Sequence, residues 1–327
     1  MSRKNEMTAS LIITVLNEGK TIIQFLNSVA YQSKQVKEMI IVDGGSTDDT
    51  LSAISNFSGQ KSQLSSKKTA NLITNIKLII KKGNRSVGRN EAIKNAAGDI
   101  IVCSDAGCIL DNDWFKNIIK PFRDKKVDVV AGYYKGEAET VFQKCLIPYV
   151  LVMPDRVNSD TFLPATRSMA FKKSIWKKIG GFDERLSHNE DYAFAKRLKI
   201  INVKIVFTKD AIVNWIPRRT LKKAFNMFFR FAYGDAEARI FRFKVILIFL
   251  RYLTGLVLLA SVLFFKSLFL FAAVFFLILM YFIWAIIKNY IYVKNLRAFF
   301  YLPLIQITSD IAVLLGTLAG LIKRFNI

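Results

Sequence analysis

Three long apolar runs near the C-terminal end constrain this chain more than anything else in it: 245–265, 267–287 and 299–322. At about 1.5 Å of rise per residue, each is long enough to cross a hydrocarbon core roughly 30 Å thick. A water-soluble globule has little use for three such helices in succession, so the C-terminal region is expected to be integral to a membrane. The middle run holds no charged residue; the first carries Arg251, placed to snorkel, and the third carries Asp310 near its middle. Only one or two residues around Lys266 part the first two runs, which demands either a tight hairpin or two obliquely lying helices.

Basic residues give these runs a direction. Arg218, Arg219, Lys222, Lys223, Arg230, Arg239, Arg242 and Lys244 precede the first run, and Lys288, Lys294 and Arg297 follow the second on the same side. Lys266, Lys323 and Arg324 are the basic residues on the other side. This asymmetry puts the large N-terminal region on the cytoplasmic face of a multi-pass cell-membrane protein. Within 218–244, Leu221, Phe225, Phe228 and Ala232 recur at helical spacing while Lys222, Lys223 and Arg230 fall elsewhere on the wheel. The pattern describes an amphipathic helix lying on anionic lipid or covering the soluble domain.

The 48 Lys and Arg against 25 Asp and Glu give a formal charge of +23, which calls for an anionic partner. Nucleic acid is the least suited, because much of the charge flanks apolar runs and does not form a basic face interleaved with stacking aromatics. Anionic lipid and phosphorylated small molecules remain. Cys103, Cys108 and Cys145 form no CxxC pair and there is one histidine, which leaves no basis for a disulfide framework or a zinc site. The first apolar run, 11–16, is too short for a signal-peptide core, so the N-terminal part is expected to stay in the cytosol.

Residues 1–217 read as an α/β domain. The runs 11–16, 39–42, 76–80 and 100–103 are short, β-branched-rich and bounded by turn formers, as buried parallel strands are. Helical stretches fit between them over 21–31 and 88–97, and ligands of such sheets gather at the carboxyl ends of the strands. The Ser-, Lys- and Gln-rich stretch 55–75 reads as a surface insertion.

Each strand runs into something polar: Asn17-Glu18, Asp43-Gly44-Gly45-Ser46-Thr47-Asp48 and Asp105-Ala106-Gly107. Carboxylates at one sheet edge of a basic protein do not attract anions directly. They can bond base or ribose hydroxyls, or hold a divalent cation that bridges to phosphate, so a phosphorylated nucleotide is the ligand expected. Tight-turn formation accounts for any one of these segments but requires three coincidences.

The segments IITVLNEGKTI, IIVDGGSTDDT, VGRNEAIKNAAGDIIVCSDAGC, RSMAFKKSIWKKIGGFDE and NEDYAFAKRL resemble, in order and spacing, the family 2 glycosyltransferases. The resemblance covers about residues 9–215. It implies a GT-A, Rossmann-like fold for nucleotide-diphospho-sugars, with a mostly parallel sheet flanked by helices, then the 218–244 helix and about three transmembrane helices within 245–327. It places Leu16, Asn17 and Glu18 at the base and ribose, Asp43 on the nucleobase, and Arg89 as a phosphate-binding candidate. Asp105 matches the first carboxylate of the family's Asp-x-Asp motif for Mg²⁺ or Mn²⁺, while Gly107 stands where the second would be. Asp191 of Glu190-Asp191 matches the general base, although adjacent acids at a helix start also complement its dipole. Asp183, His188, Arg218 and Arg219 are acceptor-side candidates.

The activity implied is inverting, metal-dependent transfer of a sugar to a lipid-linked or membrane-proximal acceptor hydroxyl or phosphate, in cell-surface glycan or glycolipid assembly. A polyprenyl-phosphate monoglycosyltransferase is the alternative. A processive polysaccharide synthase fits less well, because the family's Gln-x-x-Arg-Trp motif is here Trp215-Ile216-Pro217-Arg218-Arg219. An inactive transferase-like membrane scaffold is the non-enzyme reading.

Overall fold

The structure, a computed structural model, describes residues 7–59, 73 and 75–325. Two compact units emerge, one of residues 1–136 and 154–216, the other of residues 137–153 and 217–327. The segment 137–153, which the sequence assigns to the N-terminal domain, therefore belongs with the C-terminal helices. Most of the insertion expected over 55–75 lies outside the described residues.

The first unit is built on one sheet of eight strands: β1 (Ala9–Val15), β2 (Glu38–Asp43), β3 (Asn75–Ile80), β4 (Ile100–Cys103), β5 (Cys108–Leu110), β6 (Val129–Gly136), β7 (Met169–Lys172) and β8 (Ile205–Trp215). Their spatial order is β3-β2-β1-β4-β7-β6-β8-β5. The four strands legible in the sequence form its parallel half, with β1 between β2 and β4 and β3 outside β2. β1, β2 and β4 are buried along most of their length, so no period-2 alternation is needed; β3, expected to be buried as well, is the outer strand and is exposed or half-buried throughout. Beyond β4 the sheet is mixed: β7 runs antiparallel to β4 and β6, and β6 pairs parallel with β8 across an irregularity at Gly132/Tyr133. All three cysteines are buried and free, Cys145 in the second unit.

The crossovers are α1 (Ile22–Ala30), α2 (Thr50–Gly59) and α3 (Arg85–Asn95), followed by α4 (Trp114–Ile119). Asn84 caps α3 by accepting from Val87 N at 3.1 Å. Gly88 lets α3 sit directly on the sheet, since an added Cβ would meet Thr14 Cγ2 at 2.7 Å. Further along come α5 (Val141–Val150), α6 (Lys173–Lys178) and α7 (Glu190–Ile200).

In the second unit α8 (Leu221–Glu237) precedes three helices long and apolar enough to cross a membrane: α9 (Phe243–Phe265), α10 (Leu268–Val293) and α11 (Ala298–Phe325). The short link is real. Lys266 adopts left-handed φ +47° to end α9, and Ser267 at once caps α10 by accepting from Leu270 N. The expected stripe on α8 needs correcting, because the buried face is Ala224, Met227, Phe228 and Ala232, and Leu221 and Phe225 are only half-buried. That face packs on α11 through Gly316 and Gly320, where an added Cβ would come within 2.3 Å of Phe229 O and 2.5 Å of Tyr233 O. Small residues four apart permit this close approach of two helices in an apolar setting.

Asp310 is 1% exposed in mid-α11 and accepts from Arg251 of α9, Tyr281 of α10 and, at 3.0 Å, Gln306 Nε2. One carboxylate thus ties all three apolar helices together. Asp310→Leu would strand the Arg251 charge, and breaking such a pair costs about 3–5 kcal/mol. The melting temperature in detergent should fall in this variant and recover largely in Arg251→Leu/Asp310→Leu, where no charge is left unpaired.

Candidate functional site

The site grows from the carboxyl ends of β1, β2 and β4, where the loops leaving the sheet are bound to one another. Asn17, in left-handed conformation at φ +55°, accepts from Thr47 N at 2.9 Å and donates its own N–H to Ser46 Oγ at 2.9 Å. Glu18 N donates to Thr50 Oγ1 at 2.8 Å, while Leu16 stays exposed beside them. Asp43 is fully buried and turned inward: Gly45 N and Ser46 N each donate to its Oδ1 at 2.8 Å, and Ser46 Oγ donates to Oδ2. In this arrangement Asp43 shapes the turn, and the accessible groups at this edge are Leu16 and the loop around Asn17.

Arg89 is the hub of the site. Only 3% exposed, it donates through Nη1 to Glu190, and through Nη2 to Asp105 Oδ1 at 3.2 Å and Thr166 Oγ1 at 2.8 Å. Its guanidinium also lies 5.6 Å from the Phe182 ring centroid. Both terminal nitrogens of Arg89, the residue expected to bind phosphate, are engaged by protein acceptors in this arrangement. Burial alone would lower its pKa, but Glu190 and Asp105 outweigh that and hold it protonated. Burial likewise pushes Asp105 up, and Arg89, with Arg85 and Arg167 behind it, brings it below the ordinary carboxylate value. Glu190 behaves the same way, Arg89 overcoming its burial to keep it ionised.

Asp191 is the exception. Desolvation of its carboxylate and the adjacent Glu190 charge raise it above the ordinary value, and Arg89 offsets this only in part. Two neighbouring carboxylates are thus pushed apart, one held as a fixed anion and the other made more basic, a division that suits a proton acceptor. Both begin α7, whose cap residue Asn189 is left-handed at φ +54°. Cys103 lies nearby, but burial pushes its thiol up to about 12, which disqualifies it as a thiolate nucleophile.

Several contributors were not singled out in the sequence. Asn90 donates to Phe182 O and Glu184 Oε1, both at 2.8 Å, and accepts from Phe182 N at 2.9 Å and Trp176 Nε1 at 3.0 Å. That fixes the Gly180-Gly181 turn to α3. Gly181 sits at φ +77°, and a Cβ there would meet Asn90 Oδ1 at 2.8 Å. Thr166 and Arg167 arrive on the turn before β7, Arg167 opening the RSMAF segment and Thr166 just preceding it, and composition alone does not mark them. Of the acceptor-side candidates, Asp183 spends its carboxylate on Arg185, 2.8 Å from Nη2, and His188 is half-buried in the loop before α7. Arg218 and Arg219 lie in the second unit, where Arg219 pairs with Glu139 at 2.8 Å.

Among the described residues no three His, Cys, Asp or Glu side chains gather where they could hold a metal ion. Asp105 offers a single carboxylate, 38% exposed, with Oδ1 turned to Arg89. A hard cation that keeps its waters and draws most oxygens from a bound diphosphate fits this donor set; one caged by protein alone does not. A Cβ added at Gly107 would meet nothing within 4 Å. Gly107→Asp is therefore expected to fold normally and to tighten Mn²⁺ binding in calorimetry, and unchanged affinity would show that position 107 does not face the metal site.

Comparison with known proteins agrees with this geometry. The model of Glycosyl transferase family 2 matches residues 10–178, and that of Glycosyl transferase family group 2 matches residues 100–293. The chain is similar to a poly-beta-1,6-N-acetyl-D-glucosamine synthase of Staphylococcus epidermidis, 24% identical over 236 residues, covering 70% of this chain and 54% of that protein. It thus spans about half the length of that relative. An O-antigen chain rhamnosyltransferase of Salmonella typhimurium is 22% identical over 237 residues, covering 67% and 71% of the two chains. Among solved structures, a Pyrobaculum calidifontis mannosyltransferase in complex with GDP-Man and Mn²⁺ superposes with a TM-score of 0.65 at 19% identity. That match covers 95% of this chain and 88% of the other, and shows that the fold is shared.

Proposed function

Because the chain belongs to glycosyl transferase family 2, we propose that it is a membrane-bound, inverting enzyme that moves a sugar from a nucleotide-diphosphate sugar to a lipid-linked or membrane-proximal acceptor. The observation that carries this reading is the cluster at the carboxyl end of the sheet, where Arg89 holds Asp105 and Glu190 together and Asp191 follows Glu190 at the start of α7. In a single displacement the acceptor oxygen attacks the anomeric carbon as the bond to the diphosphate breaks, and Asp191 takes the acceptor proton. One displacement inverts the anomeric centre and needs no covalent nucleophile. Burial and the adjacent Glu190 charge make Asp191 more basic, and Arg89 opposes this only in part. Asp105 is the residue that would hold Mg²⁺ or Mn²⁺, which when bound offsets the charge of the departing diphosphate.

Single transfer is favoured over polymer synthesis because Trp215-Ile216-Pro217-Arg218-Arg219 lacks the processive motif. A cytoplasmic catalytic unit follows from the basic residues flanking the apolar helices. Release of nucleotide from a panel of nucleotide-sugars, with and without extracted membrane lipid, tests the proposal. One donor should turn over only with lipid and a divalent cation present, and absence of release from every donor would refute the transferase reading. Asp105→Asn should abolish the metal dependence of donor binding while leaving the melting temperature near that of the parent; unaltered affinity and metal response would remove Asp105 from the metal site. In sealed vesicles, protease added to the cytoplasmic side should digest residues 1–216, and their protection there would reverse the orientation.

A further inference from the structure

Arg167 stands apart from the other arginines of the first unit. Its guanidinium lies between two rings, 5.5 Å from the Tyr134 centroid and 5.3 Å from that of Trp215. Among the described residues no carboxylate, hydroxyl or carbonyl accepts a hydrogen bond from it. Arg89 by contrast donates through both terminal nitrogens to Glu190, Asp105 and Thr166, and Arg197 donates to Ile179 O and Gly181 O. Stacking fixes the plane of a guanidinium while leaving its edge donors unused, which is what bidentate recognition of phosphate requires.

The backbone beneath Arg167 is fixed as well. Ser104 Oγ donates to Arg167 O at 3.0 Å. On either side, Thr166 accepts from Arg89, and Ser168 accepts from Trp114 Nε1 at 2.8 Å and donates to Ala211 O at 3.0 Å. Gly132 leaves room for that serine, since a Cβ there would fall 2.0 Å from Ser168 Oγ. The turn that carries Arg167 adjoins the centre, since Thr166 accepts from the same Arg89 nitrogen that donates to Asp105. A cation fixed at that place has more use for a ligand than for packing alone.

We propose that Arg167, held over the rings of Tyr134 and Trp215, is a phosphate-binding subsite of this centre. The inference rests on the transferase reading, and its ligand is a phosphate of either the departing diphosphate or the acceptor. The test uses the full chain in detergent micelles, with pyrophosphate plus Mg²⁺ as the donor-side probe and farnesyl phosphate, against farnesol, as the acceptor-side probe. Arg167→Gln should weaken one phosphate probe by roughly tenfold or more, and Arg167→Lys should restore part of the loss because charge returns without the fork. Loss for pyrophosphate assigns the subsite to the donor; loss for farnesyl phosphate, with farnesol unaffected, assigns it to the acceptor. Affinities within twofold of the parent for both probes would overturn the assignment, as would equal loss for farnesol or a lowered melting temperature in the glutamine variant. Failure of the transferase reading itself is read separately, as absence of turnover with every nucleotide-sugar.

Discussion

Asp191→Asn should lower sugar transfer by at least about a hundredfold while donor binding stays within a few-fold, because a positioned general base contributes ~10²- to 10⁴-fold to rate. The amide is nearly isosteric and cannot accept the proton. A merely structural role predicts something different: an acid in the first turn of α7 is worth only about 0.3–1 kcal/mol through the helix dipole, and its loss would leave turnover intact. The pH profile gives a second readout. A base must be deprotonated to act, so the acid limb of the rate profile should lie above the ordinary carboxylate range, in line with the upward shift that burial and Glu190 impose on Asp191. His188→Ala is the local control and should be milder. Near parental turnover of Asp191→Asn at saturating acceptor would move the base elsewhere. Asp183, an acceptor-side candidate, is a poor successor, because its bonds to Arg185 hold it below the usual carboxylate range.

The parallel half of the sheet, the three apolar helices and the acidic strand ends were legible in the sequence because each is a local signal: a β-branched run, an uninterrupted apolar run, or an Asp beside a turn. What escaped depends on distant partners. Thr166 and Arg167 are unremarkable at the start of RSMAF until the antiparallel pairing of β7 with β4 brings their turn beside Asp105. The pairing of Arg89 is invisible until α7, about a hundred residues later, delivers Glu190 to it. Asp43 is a local case, its carboxylate bonded within its own turn, which residue type alone does not reveal. The wheel of α8 placed the polar side and the buried Phe228 and Ala232 correctly, but took Leu221 and Phe225 where Ala224 and Met227 are buried. Gly316 and Gly320 on α11 meet the α8 backbone at Phe229 and Tyr233, and Gly320 also Ala236, a close approach that small side chains favour.

Arg89→Met should be the most damaging substitution for stability. Glu190 is 3% exposed and Arg89 is its ion-pair partner, so truncating the arginine leaves a buried carboxylate uncompensated, at a cost of about 3–5 kcal/mol. Adding Glu190→Leu removes the stranded charge and should recover most of that loss, since a buried pair exchanged for apolar groups is often close to neutral. Activity should not return with stability, because Asp105 and Asp191 would then lack the charges that set them. Acidification separates the cases further. In the parent, Arg89 holds Glu190 and Asp105 below their ordinary values, so their contribution is present above the unfolded carboxylate range and is lost as pH falls through the lowered folded values. In Arg89→Met burial acts on Glu190 against only Arg85 and a backbone hydrogen bond, so its pKa rises relative to the parent. The variant's melting temperature should therefore fall less than the parent's as pH drops from neutrality toward and through the ordinary carboxylate range. If the single and double variants melt alike and share the parent's pH dependence, Arg89 and Glu190 are not the coupled pair on which the basicity of Asp191 depends.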